Sequence, residues 1–164
     1  MATWQFEFGF LPSTAETRHW ASSHSSTRIP EPEKQGLWKG VDLPPSLVES
    51  LDKLLPGSQM ISASHARWGD GDGSCIDVFF ERDQLLDVAV TLDLRVPFLA
   101  LVSELALIAN QHQWLVITTD GQIFRPTVRR FLAEIQHSPP MRWVRGSLDA
   151  FVQRQSKHWN EELR

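Results

Sequence analysis

Tyrosine is absent from this 164-residue chain, and cysteine occurs once, at Cys75. One cysteine cannot close an intrachain disulfide, and it excludes a cysteine-based zinc site unless chains share ligands. A chain of this length buries roughly 70% of its unfolded surface without a staple. With 41% hydrophobic and 22% charged residues, the composition fits one globular domain over 1–164. Cys75 therefore reads as a small apolar residue opening a strand, not as a nucleophile. A long hydrophobic run is also missing. The most apolar stretch, Pro97 to Ala109, carries Ser103 and Glu104 and is too short to cross about 30 Å of hydrocarbon. Residues 1–10 lack a basic region and are interrupted by Glu7, so they do not read as a signal peptide. The expectation is a cytoplasmic protein that neither spans a membrane nor is exported by these routes.

Cofactor and catalytic signatures are missing as well. No G-x-G-x-x-G follows a strand, and no G-x-x-x-x-G-K-[ST] loop occurs. His19, His24, His65, His112, His137 and His158 are scattered, with no i, i+4 pair. Ser62 and Ser64 lack the Gly-x-Ser-x-Gly context of a nucleophile elbow. Asp70, Asp72 and Ser74 alternate as calcium ligands do, and Glu81 stands where a bidentate carboxylate would. Cys75, however, occupies the position where that loop needs glycine, and its flanks read as strands. No cofactor and no metal are expected.

What is present reads as alternating strands and amphipathic helices. Trp4 to Phe10 alternates around Phe6, Phe8 and Phe10 and predicts a strand. Ser13 and Glu16 have capping-box spacing before a helix over Thr14 to Ser22. Residues 22–40 form a long loop, with Trp20 and Trp38 pinning its ends. Pro44-Pro45 opens a helix whose Leu47, Val48, Leu51, Leu54 and Leu55 share a face. Three strands follow: Met60 to Trp68, Cys75 to Glu81 and Leu85 to Arg95, joined by short polar turns as in an antiparallel meander. A helix from Pro97 carries apolar residues on several sides, Leu99 and Leu107 included, and is expected to be the most buried. Trp114 to Thr119 and Gln122 to Phe124 flank Asp120-Gly121, a type I′ hairpin signal. Thr127 caps a helix through Val128, Phe131, Leu132 and Ile135, which Pro139-Pro140 ends. Arg142 to Arg145 reads as an edge strand, and Ser147 as the cap of a last helix. The fold class is α+β: a meander plus a hairpin, with helices mainly on one face.

Alternation sorts the meander into two faces. Ile76, Val78, Phe80, Val88, Val90, Leu92 and Leu94 should meet the helices. His65, Arg67, Asp77, Phe79, Glu81, Asp87, Thr91, Asp93 and Arg95 fall on the reverse, expected to be open to water. The simplest account of that face is cross-strand pairing, such as Asp77 with Arg95 or Arg67. The net charge of −4 conceals an asymmetry: from Arg125 onward eight bases face four acids, whereas Asp70 to Asp93 holds seven acids against Arg82 alone. Such a block can steer a basic partner and disfavours nucleic acid. The C-terminal arginines between Phe124, Phe131 and Trp143 are better read as the wet sides of helices. Trp20 and Trp159 stand out as candidate interface anchors.

The run Trp68-Gly69-x-x-x-Gly73-x-x-Ile76-Asp77-Val78, then Asp93-Leu94-Arg95, a helix and a hairpin, resembles a loose group of small bacterial proteins. Some of these look like immunity proteins of toxin systems. The likeness covers roughly residues 60 to 152 and carries over no catalytic residue. It implies a non-enzymatic module that occludes a basic toxin domain. The expected contact residues are Trp68, Asp70, Asp72, Asp77, Phe79, Asp93 and Arg95. The competing expectation is a small enzyme or ligand sensor built on His65, Asp93 and Arg95.

Overall fold

Alternation of Phe6, Phe8 and Phe10 puts three rings on one side of β1 (Gln5–Pro12), and the fold assembles around that strand. The computed structural model describes residues 3–23, 34 and 36–146. Its α+β fold is a seven-stranded antiparallel sheet with helices on both sides. The further strands are β2 (Gln59–Ser62), β3 (His65–Gly69), β4 (Cys75–Glu81), β5 (Gln84–Asp93), β6 (Trp114–Thr118) and β7 (Ile123–Phe124), in spatial order β2-β3-β4-β5-β1-β6-β7. The first strand thus joins the meander to the hairpin, pairing Phe8 with Val90 on one side and with Thr118 on the other.

Three helices cover one face: α2 (Pro45–Leu54), α3 (Leu99–Gln111) and α4 (Val128–His137). Leu47 and Leu51, Val102 and Leu105, Phe131 and Ile135 meet the three phenylalanines, Ile76, Val78, Val88, Val90 and Leu92 there. Phe131 stands edge-on to Phe8 at 5.0 Å. Another helix, α1 (Ala15–Ser23), lies on the reverse face. There Trp20 and Ala21, with Leu37, cover Leu11, Leu115, Ile117 and Ile123. The reverse is thus roofed over β6 and β7, and only its β3–β5 half resembles the open platform the alternation suggested. Trp20 packs into this layer and is not a free anchor.

Several local readings shift. Met60 to Trp68 is a hairpin, not one strand: β2 and β3 fold back at Ala63-Ser64, with a bulge after Met60. The cap of α1 is Thr14, whose hydroxyl accepts from Thr17 N while Thr17 Oγ1 accepts from Thr14 N, so Ser13 and Glu16 are not the capping pair. Leu99 and Leu107 stand exposed on α3, and the apolar collar of that helix is only partly used. The Asp120-Gly121 turn is not type I′, because only Gly121 has positive φ (86°). Gly121 N bonds Thr118 O and Thr118 N bonds Gln122 O, the pattern of a type I turn with a glycine bulge. Residues 139–146 are helical, so Arg142 to Arg145 is no edge strand. Ser138 Oγ accepts from Met141 N, and Pro139-Pro140 sits in the first turn, where a proline's missing N–H costs nothing. The helix expected from Ser147, with Trp159, lies outside the described residues. Among those described, no helix is long and apolar enough to cross a membrane.

Residues 36–43 close the lower end of the core. Trp38 is fully buried, edge-on to Trp114 at 5.2 Å. Leu43 N bonds Asp83 O, and Leu85 N bonds Val41 O, fastening this segment to the β4–β5 turn.

Candidate functional site

On β3 and β4, Arg67 and Asp77 are direct cross-strand partners, and His65 lies two residues along the same face. That register brings three donors to one carboxylate. Arg67 Nε donates to Asp77 Oδ1 at 2.8 Å and its Nη2 to Oδ2 at 3.1 Å, while His65 Nε2 lies 2.6 Å from Oδ1. Phe79 stacks on the His65 ring at 4.3 Å. Burial pushes the Asp77 carboxyl up, but the hydrogen bonds from Arg67 and then His65 outweigh it and hold the group below its ordinary value. The cluster has a base–carboxylate geometry, yet among the described residues no serine or thiol hydrogen-bonds the His65 ring, whose partner is Asp77. Asp77 and Phe79 are only partly exposed, spent on each other's neighbours.

Cys75 sits beside this cluster, buried, with Sγ 3.8 Å from Asp77 Oδ2. Burial, and secondarily the charge of Asp77, push its thiol up. Only the thiolate attacks, so the native protein is expected to resist a disulfide reagent at neutral pH and to react once unfolded. Rapid stoichiometric labelling without denaturant would contradict this placement.

Asp93 is buried at the far end of β5 and is held by its neighbour but one. Arg95 donates from Nε to Oδ1 at 2.9 Å and from Nη2 to Oδ2 at 2.7 Å, and these bonds keep the carboxyl below its usual range. Asp87, opposite Phe79 in the row of His65, pairs with Lys34 at 2.8 Å. Asp93 lies six residues beyond Asp87 on the same strand, roughly 20 Å away at about 3.3 Å per residue. The triad of His65, Asp93 and Arg95 therefore does not assemble. Trp68 is no surface anchor either: it is 4% exposed on the helix-covered face, with Nε1 donating to Asp52 at 2.7 Å.

What does converge is the end of the sheet at Asp93. The turn between β3 and β4 is fastened there from several directions. Asp72 N donates to Asp70 Oδ1, Gly73 N to Asp70 O, and Asp70 N to Ser74 O. Gln5 Nε2 reaches Gly71 O and Gly73 O, and Arg95 Nη2 reaches Asp72 O. Gly69, at φ 83°, enters the turn where a Cβ would meet the Ser74 carbonyl oxygen. Asp70 and Asp72 stand exposed on this framework. Behind them, the Arg95 guanidinium lies 4.1 Å over the Trp4 ring, and Trp4 tilts against Trp143 at 5.8 Å. Trp143 is 45% exposed. Sequence reading missed Trp4 and Trp143 as members of this site, since it placed Trp143 on an edge strand.

A cleft of about 630 Å³ opens beside the tryptophans. It exists because β1 outruns β6. The ladder between them ends at Phe8 and Thr118, leaving Gln5, Phe6 and Glu7 without a β6 neighbour, and the helical residues 139–146 face the gap. Its walls include Glu7 and Asp120 from the sheet side and His137, Arg142 and Trp143 from the helical side. The Asp120 carboxylate accepts from the Thr118 hydroxyl. At the opposite end of β4, Asp42, Glu81, Arg82 and Asp83 line a polar recess of about 450 Å³. Among the described residues no three His, Cys, Asp or Glu side chains gather as metal ligands would.

No family model matches the chain, and no match was found among curated proteins or solved structures.

Proposed function

We propose that this protein is a non-catalytic, cytoplasmic binding module that docks a basic protein partner. The partner class we assign is a toxin domain of the kind immunity proteins occlude. The observation that carries the reading is the pre-set acidic turn at the same end of the sheet as a half-exposed aromatic: Asp70 and Asp72 on a fastened loop, linked to Trp143 through Arg95 and Trp4. Rigid placement lowers the ordering cost of association. Complementary charge accelerates encounter and selects partners more than it supplies affinity, and a large aromatic at the centre of a patch supplies the affinity. Asp77 and Asp93, already satisfied by Arg67, His65 and Arg95, shape this surface instead of contributing free charge. Support for a non-catalytic role comes from the His65–Asp77 pair, closed off by Arg67 and lying under the Phe79 ring.

The test is association with the product of the adjacent gene, because an immunity protein is expected to be encoded beside its toxin. Reversing Asp70→Lys and Asp72→Lys together should slow association at least roughly tenfold at low ionic strength and far less at high salt. Trp143→Ala should act mainly on dissociation. Absence of a complex, or an on-rate indifferent to both salt and the reversals, would overturn the reading.

A further inference from the structure

Arg95 brings a positive charge into a surface that the reading above gives to a basic partner. That charge is already spent: Nε and Nη2 donate to the buried Asp93 carboxylate at 2.9 and 2.7 Å, so the pair adds no net charge there. Two further contacts are not needed for this pairing. Nη2 also reaches Asp72 O, in the acidic turn, at 3.5 Å. Cζ lies 4.1 Å from the centroid of the Trp4 ring, and that ring meets Trp143 at 5.8 Å. One guanidinium therefore touches both the turn and the tryptophan pair. Its planar shape suits the task, since it can bond within its plane while its face rests on a ring; a lysine ammonium is a point charge on a flexible stem.

We infer that Arg95 is the positioning residue of this docking surface, holding the acidic turn in register with Trp143. The inference rests on the docking reading, because register between charge and aromatic matters only if one partner touches both. Gln5 braces the same turn from β1, through Gly71 O and Gly73 O at 3.4 Å, and the amides of Asp70, Asp72 and Gly73 are bonded within it. The turn therefore keeps its shape when Arg95 is changed, and what is lost is its link to the tryptophans. Arg95→Lys is the informative substitution. It leaves Asp93 a counter-charge and the surface its net charge, and it removes the flat fork that reaches Asp72 O and Trp4 together. A partner bridging the two halves then meets a Trp143 that is no longer held: encounter is unchanged, and dissociation is faster.

The test has a free-protein arm and a complex arm. In the free, isotope-labelled full chain, Trp143→Ala should shift the amide resonances of Asp72 and Gly73. The shifts should be at least roughly threefold smaller when the same substitution is made in Arg95→Lys, the loss of coupling expected when the connecting residue is gone. Trp4→Leu, which spares Arg95 and Asp93, should reduce them in the same way, so the result does not hang on how the lysine variant folds. A ring current acting through space alone would give equal shifts with arginine or lysine at this position, and equal shifts overturn the inference. In the complex arm the probe is the product of the adjacent gene. Arg95→Lys should hold the on-rate within about twofold and raise the off-rate at least roughly fivefold. An off-rate equal to the parent's overturns the inference. Transmitted shifts in a protein that forms no complex would sink the docking reading alone and leave the link in place.

Discussion

Trp38→Ala is expected to destabilise the protein by about 3–5 kcal/mol, the range for deleting a buried tryptophan. Trp38 is the largest fully buried side chain among the described residues, and it does two jobs. Its ring stands edge-on to Trp114, which in turn tilts against Phe10, so it ends the aromatic row that starts on the central strand. It also anchors residues 36–43, whose backbone bonds to Asp83 and Leu85 clamp the β4–β5 turn. Removing the ring leaves a cavity and frees the clamp together. For a chain of this size the melting temperature should fall on the order of 10 °C. Trp38→Phe should cost much less, because Trp38 Nε1 is buried without a hydrogen-bond partner among the described residues and no such bond is lost with it. Thermal and urea denaturation of the two variants decide the matter. A Trp38→Ala melt that coincides with the parent's would mean that the segment is not docked as described.

The strands were legible where residue type and period agreed. Cys75 to Glu81 is a strand over the residues its alternation suggested, because Ile76, Val78 and Phe80 pack inward while Asp77 and Phe79 do not. The β2–β3 hairpin was not legible, because Ser62, Ala63 and Ser64 carry no glycine, proline or asparagine to mark a turn. Period-2 alternation also reads the same through a reversal as along one strand. Ser138-Pro139-Pro140 held two messages, the end of α4 and the start of the next helical segment, and only the first was read. Proline in a first helical turn behind a serine cap is as ordinary as proline that stops a helix. The apolar residues around α3 could not say which of them would be covered. Leu99 and Leu107 are left exposed because no neighbouring element reaches their side of the helix among the described residues.

The reverse face was half legible. Its acids were correctly gathered by alternation, and the pairing of Asp77 with Arg67 follows from register once β3 and β4 are neighbours. The pairing of Asp87 with Lys34 could not be read, since the two lie 53 residues apart and no local pattern in either points to the other. Nor could the cleft. It arises from a mismatch in length between β1 and β6, and from a helical segment that had been read as a strand. Local pattern carries chemistry along one element well. Concavity is a property of where elements stop, and that depends on their neighbours.

Asp77 should be the surface position with the largest energetic consequence. Its carboxylate is 13% exposed and serves Arg67 and His65 at once. Asp77→Ala would leave a guanidinium and an imidazole facing each other without a counter-charge. Breaking a buried pair in this way costs about 3–5 kcal/mol; because the Arg67 side chain is 33% exposed, water repays part, and about 2–3 kcal/mol is expected here. Replacing the pair together, as Arg67→Met with Asp77→Leu, should recover most of that loss, since no charge is then stranded. The same carboxylate predicts an acid limb. Asp77 and Asp93 are both held below their ordinary value in the folded state, so below about pH 5 the unfolded chain binds more protons than the folded one. Their contribution is complete above the unfolded value near 4 and is lost as pH falls through the lower folded values. Urea unfolding from pH 7 to pH 3 should show stability falling toward the acid end in the parent. The fall should be shallower in the Arg67→Met, Asp77→Leu variant, which has lost one of the two titrating groups. An identical pH slope in both proteins would mean that Asp77 is not held by Arg67 and His65 in solution.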